Sequence, residues 1–292
     1  MKDGELGQLF KEIRTERGLR ISDISEPLNI STVSKFENGL TEISAENLFK
    51  LLRNICVEPT EFFELLEKRN RSHIDDADLP QRDFDQRILQ LSLQKKIGEL
   101  QRLKQKLIQK FLTTRNILFK LRPTIVTAVQ IDTQGTSDHL SKEDSDVVIN
   151  YLMNRSFWYL LEYTLYIDCI PFLESEYFEK LYEKLLIIHF TLKHQNVHQN
   201  LFYQALYNTA VMFYYQEDYE RTLLTLAQLQ RHGLPDDYFY IRIQIELLQK
   251  QCQIKLGNDS KNQNELKQLL DVLSLISPAF GKKWKEEFEI DP

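Results

Sequence analysis

Apolar residues recur at helical spacing in long runs of this chain, and few residues interrupt them. Among its 292 residues there are only 9 Gly and 8 Pro, the residues that most often end a helix. The hydrophobic fraction of 42% is sufficient for a buried core. We therefore predict an all-α protein that is long enough for two domains.

The cysteine spacing, the N-terminal sequence and the length of the apolar runs indicate the cellular compartment of the protein. The three cysteines lie far apart, in no spacing typical of a metal site or a disulfide framework. We expect them to be small buried residues in a reducing environment. The N-terminal sequence MKDGELGQLF lacks the apolar run of a signal peptide, and no apolar run is long enough to span a bilayer. These features predict a cytoplasmic protein with no membrane partner.

Positive charge is concentrated in one segment, although the whole chain has a net charge of −6. Residues 87–122 contain ten Lys or Arg and one acid, Glu99, so this segment is +9 and the remainder is −15. The segment could hold DNA phosphates, or it could face the acidic remainder of the protein. Of these two interpretations we favour the internal pairing.

Residues 31–39, with the sequence STVSKFENG, have the pattern of a short helix. Ser31 is a suitable N-cap, and Gly39 can adopt the left-handed conformation that ends a helix. Val33 and Phe36 form a narrow apolar face at i and i+3. The remaining side chains form a polar outer face, typical of a recognition helix in the major groove: Ser31, Thr32, Ser34 and Lys35. The alternative is an ordinary amphipathic helix with a solvated face.

Four more short helices are predicted around this one. The first ends at Gly18, and the second spans 22–27 with Ser22 as its N-cap. Ser44 is the N-cap of the fourth helix, and Pro59 opens the fifth. Between the second and third helices, Asn29 is the residue best suited to a left-handed turn.

This arrangement resembles the helix-turn-helix (HTH) domain of the phage-repressor type, the Cro/C1 or XRE class, and so a lambda-repressor-like fold. The residues that carry the resemblance are Leu6-Gly7, Ile13-Arg14, Arg17-Gly18, Ile21, Ile24, 30–39, Ile43-Ser44 and Leu48. In that family the acid before the closing glycine pairs with the arginine of the first helix. The resemblance thus implies a structural pair between Glu37 and Arg14.

The same resemblance implies DNA contacts. By position, Ser31, Thr32, Ser34 and Lys35 would approach base edges or flanking phosphates. Arg17, Arg20 and Ser22 would contact the DNA backbone. One departure is that residues 1–70 contain ten Lys or Arg against thirteen Asp or Glu. Binding to two half-sites as a dimer would help to offset this acidity, since each monomer would supply only part of the phosphate contacts.

The polar segment 69–85, which contains Pro80, reads as a linker. We accordingly predict an HTH domain at 1–68, a linker at 69–85 and a helical repeat domain at 86–292. Further helices are predicted at about 117–133, 142–154, 156–169, 174–194, 198–215, 218–231, 236–256, 262–276 and 278–289.

Short connections between these helices predict a right-handed α-solenoid of helix pairs like tetratricopeptide (TPR) repeats. The clearest repeat is 203–235, in which Ala210 is small where two helices cross. Asp218 and Tyr219 mark its turn, and Pro235 ends it. Weaker copies are found around 243–276 and from residue 157.

The concave face of such a solenoid is a candidate peptide-binding groove. The first helix of the clearest repeat would direct Gln204, Tyr207, Asn208, Val211 and Tyr215 towards the groove. The carboxamide of Asn208 could bind both N–H and C=O of an extended peptide, although a solvated polar residue is equally consistent with the pattern. Arg242 could meet a peptide carboxylate or be a plain surface charge. Arg155 belongs to an aromatic cluster that is more typical of a core: Tyr151, Trp158, Tyr159 and Glu162.

An XRE-type HTH, a short linker and about 200 residues of degenerate TPR-like helices resemble the Rgg/GadR/MutR regulators of the peptide-sensing RNPP group. Ile43-Ser44 and the series Tyr151-Leu152, Trp158 and Glu162 are similar to features of its members. The resemblance implies a cytoplasmic homodimer that binds promoter double-stranded DNA and a short signalling peptide, as in quorum sensing. Dimerisation would use an apolar C-terminal surface: Leu266, Leu269, Leu270, Leu273, Ile276, Phe280 and Trp284. The alternative is that these residues only cap the end of the solenoid.

The sequence can be compared with two other classes of function. In the first, the repeats are an adaptor for a protein partner and the HTH domain only dimerises, an alternative that the acidic N-terminal domain favours. The second is an enzyme, which we do not predict. The six histidines form no HExxH, and no P-loop or glycine-rich phosphate motif is present, so we predict no catalytic residue, no metal and no cofactor. The group His189, His194 and His198 has no nearby acidic or Cys partner in sequence.

Overall fold

The computed structural model describes residues 4–26, 28–70, 74–191, 199–231, 234–257 and 259–287. Within these ranges the chain forms sixteen α-helices and two short 3-10 helices, without a β-strand, which confirms the all-α prediction. No helix in these ranges is long and apolar enough to cross a membrane. The chain divides into two compact units, Met1–Asp78 and Leu79–Pro292.

The first unit contains five helices around one apolar core. They are α1 (Glu5–Glu16), α2 (Ile21–Ile24), α3 (Ile30–Glu37), α4 (Ala45–Asn54) and α5 (Pro59–Asn70). Ser44 caps α4 by accepting the N–H of Asn47 at 3.3 Å, and Pro59 opens α5, as predicted. The core is built from Phe10, Leu51 and Phe62, each fully buried.

The starts of α2 and α3 differ from the prediction. Arg20, and not Ser22, is the N-cap of α2, and the carboxylate of Asp23 accepts its backbone N–H at 2.8 Å. α2 ends at Ile24, so it is shorter than the predicted 22–27, and Pro27 itself lies outside the described residues. Asn29, and not Ser31, is the N-cap of α3. Its φ of −87° and ψ of 156° are extended, so the expected left-handed turn at Asn29 was wrong.

Two close contacts fix α3 against α1. The guanidinium of Arg14 donates to both carboxylate oxygens of Glu37, with Nη2 at 2.7 Å, which confirms the predicted pair. Both side chains are buried. The hydrogen bond to Glu37 is the largest of the effects that raise the pKa of Arg14. Gly7 lies so close to α3 that a Cβ there would stand 1.9 Å from the carbonyl oxygen of Phe36. Gly39 ends α3 with φ of +69°, as predicted.

The second unit contains the other eleven helices: α6 (Gln81–Leu93), α7 (Ile97–Thr114), α8 (Ile117–Gln134), α9 (Lys142–Met153), α10 (Leu160–Cys169), α11 (Ser175–Thr191), α12 (Gln199–Tyr215), α13 (Tyr219–Arg231), α14 (Phe239–Lys255), α15 (Asp259–Ile276) and α16 (Pro278–Glu287). The even-numbered helices α6 to α14 pack on one another in succession and form a first layer. The odd-numbered helices α7 to α15 pack against that layer as a second layer.

The repeat predicted at 203–235 has the expected local features. Ala210 is fully buried on α12, which packs extensively against α13. Asp218 precedes α13 and accepts the N–H of Arg221 at 3.0 Å, so it caps that helix. The boundaries 1–68, 69–85 and 86–292 stay a prediction; α5 ends and α6 begins inside the segment that was expected to be a linker.

The leucines predicted to form a C-terminal dimer surface are mostly internal. Leu266, Leu270 and Leu273 are buried against Leu247 of α14, and Leu269 and Trp284 pack on this cluster. The Phe280 side chain lies outside what the structure describes. Of the predicted residues Ile276 is exposed, and it is joined on α15 by the exposed Val272 and Leu275, which were not predicted.

The basic segment 87–122 is only partly neutralised. Glu99, a member of the same segment, pairs with Arg87 and Lys96. Within the described residues, Arg102, Lys104 and Lys120 form no ion pair, so the favoured pairing with the acidic remainder was wrong for these three.

The cysteine prediction is confirmed at two of three positions. Cys169 and Cys252 are buried, whereas Cys56 is exposed at the end of α4. Its φ of +52° shows that Cys56 occupies the left-handed position that terminates this helix.

Candidate DNA-recognition and peptide-binding sites

Helix α3 has one buried and one open face, as a recognition helix requires. Val33, Phe36 and Glu37 are buried, so they fix the helix on the domain. Lys35 is exposed and has no ion-pair partner among the described residues. Ser31 is exposed as well, and Thr32 and Ser34 are partly exposed. The four predicted base-contacting side chains therefore share one accessible face.

The N-terminal turn of α3 is organised by Asn29. Its Oδ1 accepts the backbone N–H of Thr32 at 2.8 Å, which makes it the N-cap. The same atom accepts the hydroxyl of Ser31 at 2.9 Å and the hydroxyl of Thr32 at 2.7 Å. Sequence reasoning missed Asn29 because Ser31 is an equally suitable N-cap residue only two positions later.

The three residues predicted to contact the DNA backbone are each engaged within the domain. The Arg17 guanidinium donates to the carbonyl oxygens of Ile55 and, at 2.8 Å, Cys56, so it caps the C-terminus of α4. Ser22 donates to the Asp23 carboxylate at 3.3 Å, within α2. Arg20 is exposed, and it is held through its backbone: its N–H donates to the Asp23 carboxylate and its carbonyl accepts the N–H of Asp23. Arg17 thus has a structural role that was not predicted, while Arg20 retains a guanidinium available for phosphate.

On α12, two of the predicted peptide-binding residues meet. Gln204 Nε2 donates to Asn208 Oδ1 at 2.9 Å, and both side chains are partly exposed. This pair leaves the Asn208 amide nitrogen free to donate and the Gln204 carbonyl oxygen free to accept. Val211 is partly exposed and Tyr215 is exposed further along the same helix. The helix therefore presents a carboxamide pair with complementary hydrogen-bonding atoms.

Tyr207 and Arg242 differ from the prediction. Tyr207 is buried, with 3% exposure, so it belongs to the packed interior and does not form an open groove wall. Arg242 donates to the carbonyl oxygens of Leu234 and Pro235 and pairs with Asp236 at 2.9 Å. Its guanidinium holds the segment before α14 in place.

Arg155 lies in the predicted aromatic cluster. Its guanidinium carbon is 4.6 Å from the ring centroid of Tyr151, in a cation–π arrangement. The Tyr151 hydroxyl donates to Glu162 at 2.7 Å, and the other Glu162 oxygen accepts the N–H of Tyr159. Burial, with the Glu162 carboxylate acting in the same direction, raises the pKa of Tyr151 to about 12. Trp158 and Glu162 are buried, as expected for a core, whereas Tyr159 is 66% exposed and Arg155 is exposed as well.

The first layer also contains an acidic cluster that spacing did not predict. Asp85 of α6, Asp132 of α8 and Asp168 of α10 lie close enough for their charges to interact. Burial raises the pKa of Asp168 to about 7 and that of Asp85 to about 6. Thr164 and Gln81 donate hydrogen bonds to Asp85 and oppose its shift.

Neither a metal site nor a histidine cluster is formed in the described part of the chain. No three His, Cys, Asp or Glu residues within it could hold a metal ion. His189 is buried and stacks on Phe202 with centroids 3.6 Å apart, while His194 and His198 lie outside the described residues.

Comparison with known proteins identifies the family. Residues 95–279, more than half of the chain, match the family model of the HTH-type transcriptional regulator Rgg, C-terminal domain. The chain belongs to the Rgg family. Residues 10–62 match a helix-turn-helix model, which agrees with the five-helix N-terminal unit. This Rgg-family chain is thus a DNA-binding transcriptional regulator and not an enzyme.

Solved structures share the fold of the Rgg-family chain over nearly its whole length. A candidate transcriptional regulator from Listeria monocytogenes EGD-e has a TM-score of 0.77 at 20% identity, covering 99% of this chain and 100% of that chain. The SHP pheromone receptor Rgg2 from Streptococcus dysgalactiae has a TM-score of 0.76 at 17% identity, covering 97% and 98%. PlcR from Bacillus thuringiensis, solved with the peptide PapR7 and DNA, has a TM-score of 0.64 at 18% identity, covering 97% and 98%.

Proposed function

We propose that this cytoplasmic regulator reads promoter DNA through the open face of α3, and that a short signalling peptide bound by the repeat unit controls transcription. The observation that carries the DNA part is the two-faced α3, with Val33 and Phe36 buried and Lys35 exposed. A free cation beside short hydroxyl side chains is suited to both phosphate and base contacts. A regulator that binds chromosomal DNA acts in the compartment that contains it.

The DNA part is tested by a gel shift on the DNA that flanks the gene of this protein. We expect wild type to bind at moderate salt and the double variant Ser34→Ala/Lys35→Ala to lose specific binding. Lys68→Ala, which removes one positive charge from an exposed position on α5, is the matched control and should bind as wild type does. Equal binding by the double variant would overturn the assignment of α3. No binding by folded wild-type protein would favour the adaptor function instead.

The peptide part is supported by the carboxamide pair on α12 and by what the structural relatives bind. Rgg2 is a pheromone receptor, and PlcR was solved with a bound peptide. In the Rgg-family chain, Gln204 and Asn208 offer one acceptor and one donor side by side, the pair that an extended peptide backbone can complement. We therefore assign the peptide to the surface of α12 that carries Gln204, Asn208, Val211 and Tyr215.

A pool of random short synthetic peptides can test this assignment. The full chain is incubated with the pool, separated by gel filtration, and analysed for retained peptides by mass spectrometry. We expect Asn208→Ala to retain fewer peptides than wild type, because it removes the free amide donor. Asn200→Ala, an exposed carboxamide in the first turn of the same helix, is the control. Unchanged retention by Asn208→Ala would contradict this location.

We also propose that the protein is a homodimer through the exposed face of α15. Leu275 and Ile276 are 85% and 69% exposed, and large adjacent apolar side chains of this kind mark interaction surfaces. Leu275→Glu/Ile276→Glu should lower the molar mass measured by light scattering to that of a monomer. Leu224→Glu, at an exposed leucine on α13, should leave the dimer intact. If the Leu275→Glu/Ile276→Glu variant is still a dimer, this surface is not the dimer interface.

A further inference from the structure

The geometry points to Asn29 as the residue that sets which bases Ser31 and Thr32 can recognise. We infer that it turns both hydroxyls into hydrogen-bond acceptors, so that they select bases with an exocyclic amino group, adenine or cytosine. This inference rests on the proposal that α3 contacts base edges. Asn29 itself is a positioning residue, since it acts through the side chains of Ser31 and Thr32.

The identity of the Asn29 atom at the centre of the network follows from its partners. A backbone N–H can only donate, so the Asn29 side-chain atom that lies 2.8 Å from the N–H of Thr32 must be the carbonyl oxygen Oδ1. A carbonyl oxygen can only accept. The hydroxyls of Ser31 and Thr32, at 2.9 and 2.7 Å from the same atom, must therefore both donate to it.

The hydrogen bonds to Asn29 decide what the hydroxyls have left to offer. Each hydroxyl has one hydrogen and two lone pairs. Because the hydrogens of Ser31 and Thr32 are both directed to Asn29, only lone pairs remain for DNA on these residues. An unconstrained serine or threonine could rotate its hydroxyl and bind either donors or acceptors on a base.

The major groove distinguishes bases by this property. Adenine and cytosine present exocyclic amino groups that donate, whereas guanine presents only acceptors and thymine presents an acceptor and a methyl group. Hydroxyls fixed as acceptors match the first two bases and are repelled by the acceptor atoms of the other two. The exposed cation of Lys35 has the opposite preference, because an ammonium group donates to guanine.

Selection of binding sites from a library of random double-stranded DNA tests this inference on the full chain. Ser31→Ala and Thr32→Val first identify the operator positions that these hydroxyls read, since preference relaxes there. Wild type should favour adenine or cytosine on one strand at those positions by about fivefold, the lower end expected for a specific contact.

Two variants of Asn29 then separate positioning from folding. Asn29→Gly removes the acceptor, but glycine is itself a well-tolerated N-cap residue, so α3 should persist, as circular dichroism would verify. It should abolish the preference at the Ser31 and Thr32 positions and keep the preference at the position that Lys35→Ala relaxes. Asn29→Asp retains acceptor oxygens but no amide donor. It should keep the base preference while binding all sequences more weakly, because it adds negative charge near phosphate.

Each other outcome overturns the inference. Guanine or thymine at the Ser31 and Thr32 positions would show that the hydroxyls donate to DNA. An unchanged preference in Asn29→Gly would show that Asn29 does not orient them. Loss of preference in Asn29→Asp as well as in Asn29→Gly would assign direct recognition to the Asn29 amide. Failure of folded wild type to enrich any sequence would overturn the proposed recognition by α3 and this inference together.

Discussion

The HTH unit holds its functional helix by a few exacting contacts, whereas the repeat unit holds its helices through broad apolar layers. In the first, α3 depends on the buried pair of Arg14 and Glu37 and on the backbone contact at Gly7. In the second, α12 packs against α10, α13 and α14 through many apolar side chains. Each contact in the repeat unit therefore carries a smaller share of the stability.

The difference has a physical cause. A four-residue helix such as α2 and an eight-residue helix such as α3 bury little apolar surface, so polar and backbone contacts must fix their positions. Helices of seventeen residues, such as α12 and α14, bury enough surface to tolerate small defects. Variants in the HTH unit should therefore have larger effects than comparable variants in the repeat unit.

The largest effect is expected for Glu37→Ala. It leaves the buried guanidinium of Arg14 with the Leu19 carbonyl as its remaining hydrogen-bond acceptor among the described residues, and breaking a buried ion pair in this way costs about 4 kcal/mol. Hydrogen exchange read by mass spectrometry should show loss of protection in peptides from α1 and α3. Glu46→Ala, which breaks the exposed pair with Lys50, is the control and should change protection little. Retained protection in Glu37→Ala would contradict the importance of the buried pair.

A methyl group at Gly7 should have the next largest effect. In Gly7→Ala the new Cβ would meet the backbone of Phe36, which has no flexible end that could move aside, and we expect a loss of about 3 kcal/mol. The matched change in the repeat unit is Gly98→Ala in α7, where a Cβ meets nothing within 4 Å. That variant should gain about 0.5 kcal/mol, since Gly98 lies in the first turn of α7 and alanine restricts the unfolded chain more than glycine does. Chemical denaturation of both variants would test the opposite signs.

Sequence reasoning succeeded where the determinants are local or belong to a family motif. Glu37 and Arg14 could be paired because the order of the HTH motif specifies them. Ser44 could be identified as a cap because the nearest other cap-type residues, Thr41 and Asn47, each lie three positions away. At the start of α3, Asn29 and Ser31 are both suitable caps, so sequence alone could not choose between them. In the structure Asn29 is the N-cap, and the Ser31 hydroxyl donates a hydrogen bond to it.

The repeat unit was harder to predict because its site depends on packing between distant segments. Helical spacing placed Tyr207 with Asn208 on α12, but only the neighbouring helices determine that Tyr207 is buried and Asn208 is not. Likewise Asp85 and Asp168 are far apart in sequence, and the contact of α6 with α10 brings them together. Spacing within one helix does not contain this information.

Removing the charge of Asp168 from the acidic cluster should increase the stability of the repeat unit. The pKa of Asp168 is about 7 in the folded protein and 3.8 when unperturbed, so the folded state binds this proton more tightly. The stabilisation that comes from tighter proton binding by Asp168 is therefore fully present at low pH and is lost as pH rises from about 4 through about 7. Asp168→Asn should stabilise the repeat unit at pH 8, on the order of 2 kcal/mol after allowance for partial exposure, and should have no effect below pH 4.

Tryptophan fluorescence during denaturation can measure this effect, because Trp158 packs on Tyr166 of the same helix as Asp168. Asp138→Asn removes a charge at an exposed position and should leave the midpoint unchanged at both pH values. A stabilisation by Asp168→Asn that did not depend on pH would contradict the assigned ionisation.

The smallest effects are expected at the hydrogen bond that joins α10 to α12. The Thr209 hydroxyl donates to the Ala205 carbonyl at 2.9 Å, so at the 2.7 Å contact with Tyr166 it is the tyrosine that donates. Tyr166→Phe leaves the Thr209 hydrogen bonded and should cost about 0.5 kcal/mol. Thr209→Val leaves the buried Tyr166 hydroxyl without its acceptor and should cost about 1.5 kcal/mol. Equal losses would mean that the hydrogen bond runs in the other direction. Even the larger loss would stay below that of Gly7→Ala, because the layers around α12 keep their apolar contacts in either variant.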